Sequence, residues 1–232
     1  MKPLVIAGMS ILLSLSLISS TEAAAPKSVK QTYTIVDAKN KKYTVSVQSK
    51  AASCRKATVD DFWWVKGKDS LCTGKFSLYV NNKSTAYHYT FSKDFPYVIA
   101  THDFRTSGKL KNVSGNPTVF SLSFRETPSY MSLTTFSIQN GKLIRHPGTF
   151  MSYGMRPKMK SDLLQVPIYS NAGDEVGFLF QDKKLSKGKW VKGKEHSFLS
   201  SSFKSKTYKK GVQEWNAYSS KTNYFVKWHL PK

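Results

Sequence analysis

What most limits the fold open to this chain is a short-range alternation of β-branched or aromatic residues with polar ones, repeated along its length and broken by turn formers. Tyr33-Thr34-Ile35-Val36 and Tyr43-Thr44-Val45-Ser46-Val47 flank Asp37-Ala38-Lys39-Asn40 and read as a hairpin. Lys75 to Val80 alternates and meets Ala86 to Phe91 through Asn81-Asn82-Lys83. Pro96 to Ala100, Val119 to Phe124 and Leu133 to Ile138 continue the pattern. Asn140-Gly141, leading into Lys142-Leu143-Ile144, is the strongest hairpin signal. Leu163 to Tyr169, Val176 to Phe180 and Trp190-Val191 supply further strands. Tyr208, Val212 and Trp215 depart from this with helical spacing and predict a short amphipathic helix. Tyr224, Val226, Trp228 and Leu230 then alternate as a last strand. The expectation is an all-β fold of antiparallel sheets with one short C-terminal helix.

Two internal similarities suggest how the strands are grouped. Phe136 to Leu143 resembles Phe178 to Leu185, 42 positions further on. Trp64-Val65-Lys66-Gly67-Lys68-Asp69 recurs as Trp190-Val191-Lys192-Gly193-Lys194-Glu195 after 126 positions, three times that interval. A repeat of about 42 residues with several strands is the size of a propeller blade. The alternatives are a β-sandwich or two small β domains. A boundary between two β regions, 24–106 and 117–232, would fall in the polar, turn-rich stretch 107–116. The two regions are equally compatible with one continuous domain.

The first 23 residues read as a Sec-type signal peptide. Lys2 is followed by an apolar run from Leu4 to Ile18, too short and too rich in Ser for a membrane span. Thr21-Glu22-Ala23 supplies a small-x-small site with cleavage before Ala24. No later apolar run has membrane length, so the mature chain is expected to be secreted and free of transmembrane segments. Cleavage removes one cation, Lys2, and one anion, Glu22, so the whole formal charge of +22 belongs to the mature part.

That charge comes from 36 Lys+Arg against 14 Asp+Glu, and the arginines are Arg55, Arg105, Arg125, Arg145 and Arg156; the rest are Lys. Lys is a compact, hydrated point charge without the planar fork that reads bases and phosphates bidentately. The composition therefore argues against specific nucleic-acid recognition. It favours diffuse, salt-sensitive attraction to polyanions, which for an exported chain means anionic cell-envelope polymers or extracellular glycan. With 40% hydrophobic and 13% aromatic residues, the chain can still bury a core.

The two cysteines, Cys54 and Cys72, are even in number and predict a disulfide in an oxidising compartment. On the chain-entropy argument a loop of this size is stabilised by about 3 kcal/mol. No CxxC or His-x-x-x-His spacing accompanies them, so no metal or other cofactor is called for.

Catalytic patterns are scarce. His102-Asp103 are adjacent, and neighbouring residues on a strand face opposite ways. Neither a nucleophile elbow, nor a P-loop, nor a dinucleotide glycine pattern occurs. Asn171 to Glu175 is acidic but lacks the spacing of a calcium loop. Asp60-Asp61 precedes Phe62-Trp63-Trp64, an acid pair beside aromatic platforms of the kind a glycosidase uses. Asp60 and Asp61 are thus the catalytic candidates. The binding candidates are Trp64, Lys66, Lys68, Trp190, Lys192 and Lys194, with rings to stack on sugars and ammonium groups to hold anions. These residues predict a secreted, basic, non-catalytic β protein on anionic polymer or glycan at the cell surface. The competing expectations are a secreted polysaccharide hydrolase and a protein-binding module such as an inhibitor or effector.

Overall fold

A computed structural model describes residues 26–227 apart from 62–64, 101–106, 111, 113–116, 126–130, 153–154, 172 and 187–188. The chain forms three antiparallel meanders in succession and closes with a helix. The first sheet contains β1 (Lys27–Val36), β2 (Lys42–Lys56), β3 (Ser70–Val80) and β4 (Lys83–Phe91) in sequence order. A short β5 (Tyr97–Ile99) pairs with the opening residues of β3. The second sheet runs β6 (Gly108–Leu110), β7 (Val119–Arg125), β8 (Met131–Gln139) and β9 (Lys142–Ser152). The third runs β10 (Lys158–Lys160), β11 (Leu163–Ser170), β12 (Val176–Ser186) and β13 (Lys189–Ser200). Helix α1 (Lys206–Ser220) follows.

The hairpins form where the turn chemistry places them. Asn81 and Asn82 have φ of 47° and 64°, and Asn140 and Gly141 have φ of 48° and 77°. Two successive left-handed residues match the twist of the strands they join, and Asn and Gly reach that region most easily.

The sheets stack face on face. Val45, Val47, Phe76, Leu78 and Phe91 of the first sheet share a core with Phe120, Leu122, Phe136 and Ile138 of the second. Within it Phe91 stacks on Phe124, and Tyr87 meets Phe136 edge-on. The opposite face of the second sheet places Val119, Leu133 and Phe150 against Met159, Leu164, Val166 and Trp190. The second sheet is therefore covered on both sides, and β8 is buried from Ser132 through Ile138. Its side toward the third sheet carries small hydroxyls such as Thr135 and Ser137. Thr135 Oγ1 accepts from Trp190 Nε1 at 2.7 Å, and Ser137 Oγ bonds His146 Nε2 at 2.9 Å.

Beyond the third sheet, Phe178, Phe180, Tyr218 and Val226 form a further core with Tyr208, Val212 and Trp215 of α1. Ser205 caps the helix, its Oγ accepting from Tyr208 N at 2.9 Å. Gly211 lies where the helix touches the sheet. A Cβ there would stand 2.7 Å from both Phe178 and Phe198.

Several sequence expectations need correction. The 42-residue interval does not index the strands. Asn140-Gly141 is a hairpin turn, whereas the aligned Asp182-Lys183 lies inside β12, which runs on to Ser186. The doubled Trp-Val-Lys-Gly-Lys motif also adopts two structures. Val65 to Asp69 is a turn with Gly67 at φ 72°, and Trp190 to Glu195 is part of β13. The letters match, but their backbones do not. Within the stretch 107–116, Gly108 to Leu110 pair with Val119 to Ser121.

The expected last strand is absent over Tyr224 to Lys227; 228–230 lie outside the described residues. A side chain replaces the ladder there. Gln165 Nε2 donates to Val226 O at 3.0 Å, and Val226 N donates to Gln165 Oε1 at 2.8 Å. One carboxamide thus does for Val226 what a neighbouring peptide unit does in a sheet.

Candidate functional site

Strand alternation builds two unlike faces on the first sheet. On β1, Val29, Tyr33 and Ile35 pack inward, so Ser28, Lys30, Thr32 and Thr34 face outward and are exposed. On β2, Tyr43, Val45 and Val47 point in, leaving Lys42, Thr44, Ser46 and Gln48 on the other side, where Ser46 is itself buried. On β3, Phe76, Leu78 and Val80 point in and Lys75, Ser77 and Tyr79 out. On β4, Tyr87, Tyr89 and Phe91 point in and Ala86, His88 and Thr90 out. No Asp or Glu occurs among these outward positions. The face is made of hydroxyls, an amide, an imidazole and ammonium groups.

Its polar groups are partly tied together. Gln48 Nε2 donates to Ser46 Oγ at 2.7 Å. Ser77 Oγ and His88 Nδ1 hydrogen-bond at 2.8 Å, a contact that follows from their direct pairing across β3 and β4.

A break in the ladder shapes the face. The β2–β3 register slips between Gln48 and Ser53, and the β1–β2 register slips between Lys27 and Val29. Both slips involve the same segment of β2, Ser49 to Ala52. Opposite it Gly74 has φ 124°, and a Cβ there would stand 3.2 Å from Ala51 O. The bulge opens a groove of about 530 Å³. Ser28, Gln48, Ser49, Lys50, Ala51, Gly74, Lys75, Ser77 and Tyr79 line it. Bulges commonly re-aim side chains beside functional surfaces. Here the bulge sets Lys50 and Lys75, both exposed, around a concave patch of hydroxyls and one phenol.

The candidates from sequence lie elsewhere. Cys54 and Cys72 are joined as a disulfide between directly paired residues of β2 and β3, with Cα atoms 4.1 Å apart. Lys66 and Lys68 are exposed on the loop that this bond closes, and Lys56 Nζ donates to Lys68 O at 2.9 Å. Trp64, proposed to stack beside them, lies outside the described residues, as do His102 and Asp103. Trp190 is buried at 9% exposure, edge-on to His146 and Phe150. It is a core residue and not an exposed stacking platform. Lys192 and Lys194 are exposed on β13, at the edge of the third sheet, where charged residues discourage strand addition. Of the described candidates, Lys66 and Lys68 thus belong to a loop of the first sheet, and Trp190, Lys192 and Lys194 to a strand of the third.

Asp61 is fully engaged by its own turn. Its carboxylate accepts both terminal nitrogens of Arg55 at 2.6 and 2.8 Å, and also Thr58 N and Oγ1 at 2.7 and 3.0 Å. The Arg55 guanidinium holds it far below the usual carboxylate range. A group so stabilised as an anion is a poor proton donor at neutral pH, which speaks against Asp61 as a general acid. Asp60 is exposed on the same turn. Among the described residues, no three His, Cys, Asp or Glu side chains gather into a metal site.

One polar cluster had no sequence signal. Gln165 Nε2 also donates to Asp182 Oδ1 at 2.8 Å, and His196 Nε2 lies 3.3 Å from Asp182 Oδ2. The Tyr218 hydroxyl donates to Gln165 O at 2.8 Å and accepts from Lys158 N at 2.9 Å. The cluster lies between the third sheet and the C-terminal segment, and its buried members hold that segment down. The outer face of the first sheet was also unmarked by any motif, since its members alternate with core residues on four strands.

Comparison with family models, with curated proteins and with solved structures finds no match to this chain.

Proposed function

We propose that the chain is a secreted, basic, non-catalytic β protein that associates with anionic cell-envelope polymer or extracellular acidic glycan. The observation that carries this reading is the outer face of the first sheet. It is free of carboxylate at its outward positions, exposes Thr32, Thr34, Lys30 and Lys42, and is grooved between Lys50 and Lys75. Hydroxyls and amides suit sugar hydroxyls, and Lys supplies non-directional charge. The Cys54–Cys72 bond agrees with an oxidising compartment. No helix among the described residues is long and apolar enough to cross a membrane. The engagement of Asp61 by Arg55 weakens the hydrolase reading, which drew on Asp60 or Asp61 as its acid.

The test is retention of residues 24–232 on purified cell wall, intact and stripped of its anionic polymers, across a salt series. Retention is expected on the intact wall, lost on stripping and in high salt. Lys50→Ser with Lys75→Ser should weaken it about tenfold, the effect of losing about 1.4 kcal/mol of binding. Equal retention on stripped wall, or none on either, overturns the proposal.

A further inference from the structure

Three hairpin turns from two sheets converge at one end of the molecule, with Tyr43 among them. The Tyr43 hydroxyl is 3.3 Å from Asp37 Oδ2, in the β1–β2 turn. It also lies 3.9 Å from where a Cβ on Gly141 would stand, in the β8–β9 turn. The residue after it, Thr44, donates its N–H to Asn81 Oδ1 at 2.9 Å, and its carbonyl accepts from Asn81 N at 2.8 Å, in the β3–β4 turn. Each turn carries exposed lysine: Lys39, Lys41 and Lys42 from the first, Lys83 from the second and Lys142 from the third. Asp37 is the carboxylate built into this end, and it is turned into its own loop, where Oδ1 accepts from Lys39 N and Lys41 N at 2.9 Å. These lysines come from residues about 100 positions apart, so only the fold assembles them.

This end is continuous with the grooved face. Lys42 and Tyr79 belong to that face, and Lys75 is separated from the Asn81 turn by six residues of β3, about 20 Å at about 3.3 Å per residue. Resting on the function proposed above, we infer that the ligand is a linear acidic glycan lying along β2 and β3, its chain gripped at the Lys50–Lys75 groove and again at the three-turn lysine end. The face favours glycan over single-stranded nucleic acid. Bases need aromatic platforms, and the rings of this sheet point inward except Tyr79. Two grips on one chain make affinity depend on ligand length, because the second contact becomes intramolecular once the chain spans both.

The test uses residues 24–232 with heparin oligosaccharides of graded length as the probe, titrated at fixed salt. Three proteins are compared: the unaltered chain, a turn variant (Lys42→Ser, Lys83→Ser, Lys142→Ser) and a helix variant of equal charge (Lys206→Ser, Lys209→Ser, Lys210→Ser). For the unaltered chain, affinity should rise steeply once the oligosaccharide exceeds about 20 Å. The turn variant should lose about tenfold on long chains and little on the shortest ones. The helix variant should stay near the unaltered protein. Equal losses in the two variants, or a loss independent of length, overturn the two-grip inference while leaving the binding function standing. Equal length dependence on a single-stranded oligonucleotide overturns the glycan assignment. Absence of binding by the unaltered protein overturns the proposed function itself, and the inference with it.

Discussion

The first and third sheets occupy the two ends of one stack, and their outer faces differ completely. The third sheet turns Tyr169, Phe178, Phe180 and Phe198 outward and needs a lid, which α1 supplies with Tyr208, Trp215 and Tyr218. The first sheet turns Ser, Thr and Lys outward, and no helix among the described residues packs on it. Both sheets bury their other face against the same middle sheet. The difference shows that covering is decided residue by residue on alternate strand positions. An aromatic face needs a cover, and a hydroxyl–lysine face can stand in water without one.

The comparison breaks most readily at the covered end. Phe180→Ala removes a fully buried ring that touches Phe198, Trp215 and Tyr218. It should lower unfolding free energy by about 3–5 kcal/mol in chemical denaturation. Ser77→Ala on the open face should change it by less than about 0.5 kcal/mol. Similar losses for both substitutions would mean that the two faces are not energetically distinct.

A smaller effect is expected where the helix meets the sheet. Gly211→Ala improves helix propensity by about 1 kcal/mol. Yet the new Cβ must displace Phe178 and Phe198 from 2.7 Å. Overpacking should prevail, with a net loss of about 1–2 kcal/mol and a lower melting temperature. A stabilised variant would show that the lid floats on the sheet without close contact.

The smallest effect is a titration. The Tyr224 hydroxyl bonds the Glu214 carboxylate on α1, and that hydrogen bond, together with burial and the nearby negative charge, pushes its pKa up to about 12 from 10.0. A phenol whose folded pKa is raised adds stability that is complete below the unfolded value and is lost as pH climbs from 10.0 toward about 12. Burial also raises Tyr33, Tyr89, Tyr97 and Tyr218, so the readout is a difference: Glu214→Gln should bring one tyrosine's phenolate absorbance back toward the ordinary range and leave the others late. Alkaline unfolding should loosen the covered end first.

The parts of this architecture readable from sequence were those set by local rules. Asn81-Asn82 and Asn140-Gly141 announced their turns because few residues tolerate positive φ. Tyr208, Val212 and Trp215 marked the helix by spacing, and an even cysteine count pointed to Cys54–Cys72. What failed depended on partners distant in sequence. Trp190 looked like an exposed platform because nothing local reveals that Thr135, His146 and Phe150 enclose it. The repeated Trp-Val-Lys-Gly-Lys misled because five residues do not determine whether a backbone turns or extends. The grooved face escaped notice because a β2 bulge, visible only as slipped pairing with both neighbours, creates its concavity.

Each sheet in this stack is a contiguous stretch of chain whose strands pair in the order they are synthesised, save the short β5, which returns to β3. Such a molecule suits vectorial delivery. A chain emerging N-terminus first can complete one meander before the next arrives, with short loops to close and no strand held waiting for a distant mate. Its inner apolar face then stays bare until Phe120, Leu122 and Phe136 follow. The risk of sticking to other molecules therefore passes from sheet to sheet along the emerging chain, and it ends when Tyr218 and Val226 seat the helix and tail on the third sheet. A chain stopped before Lys206 would carry that exposed aromatic face permanently. Such a fragment should accumulate as aggregate, not as a soluble shorter protein.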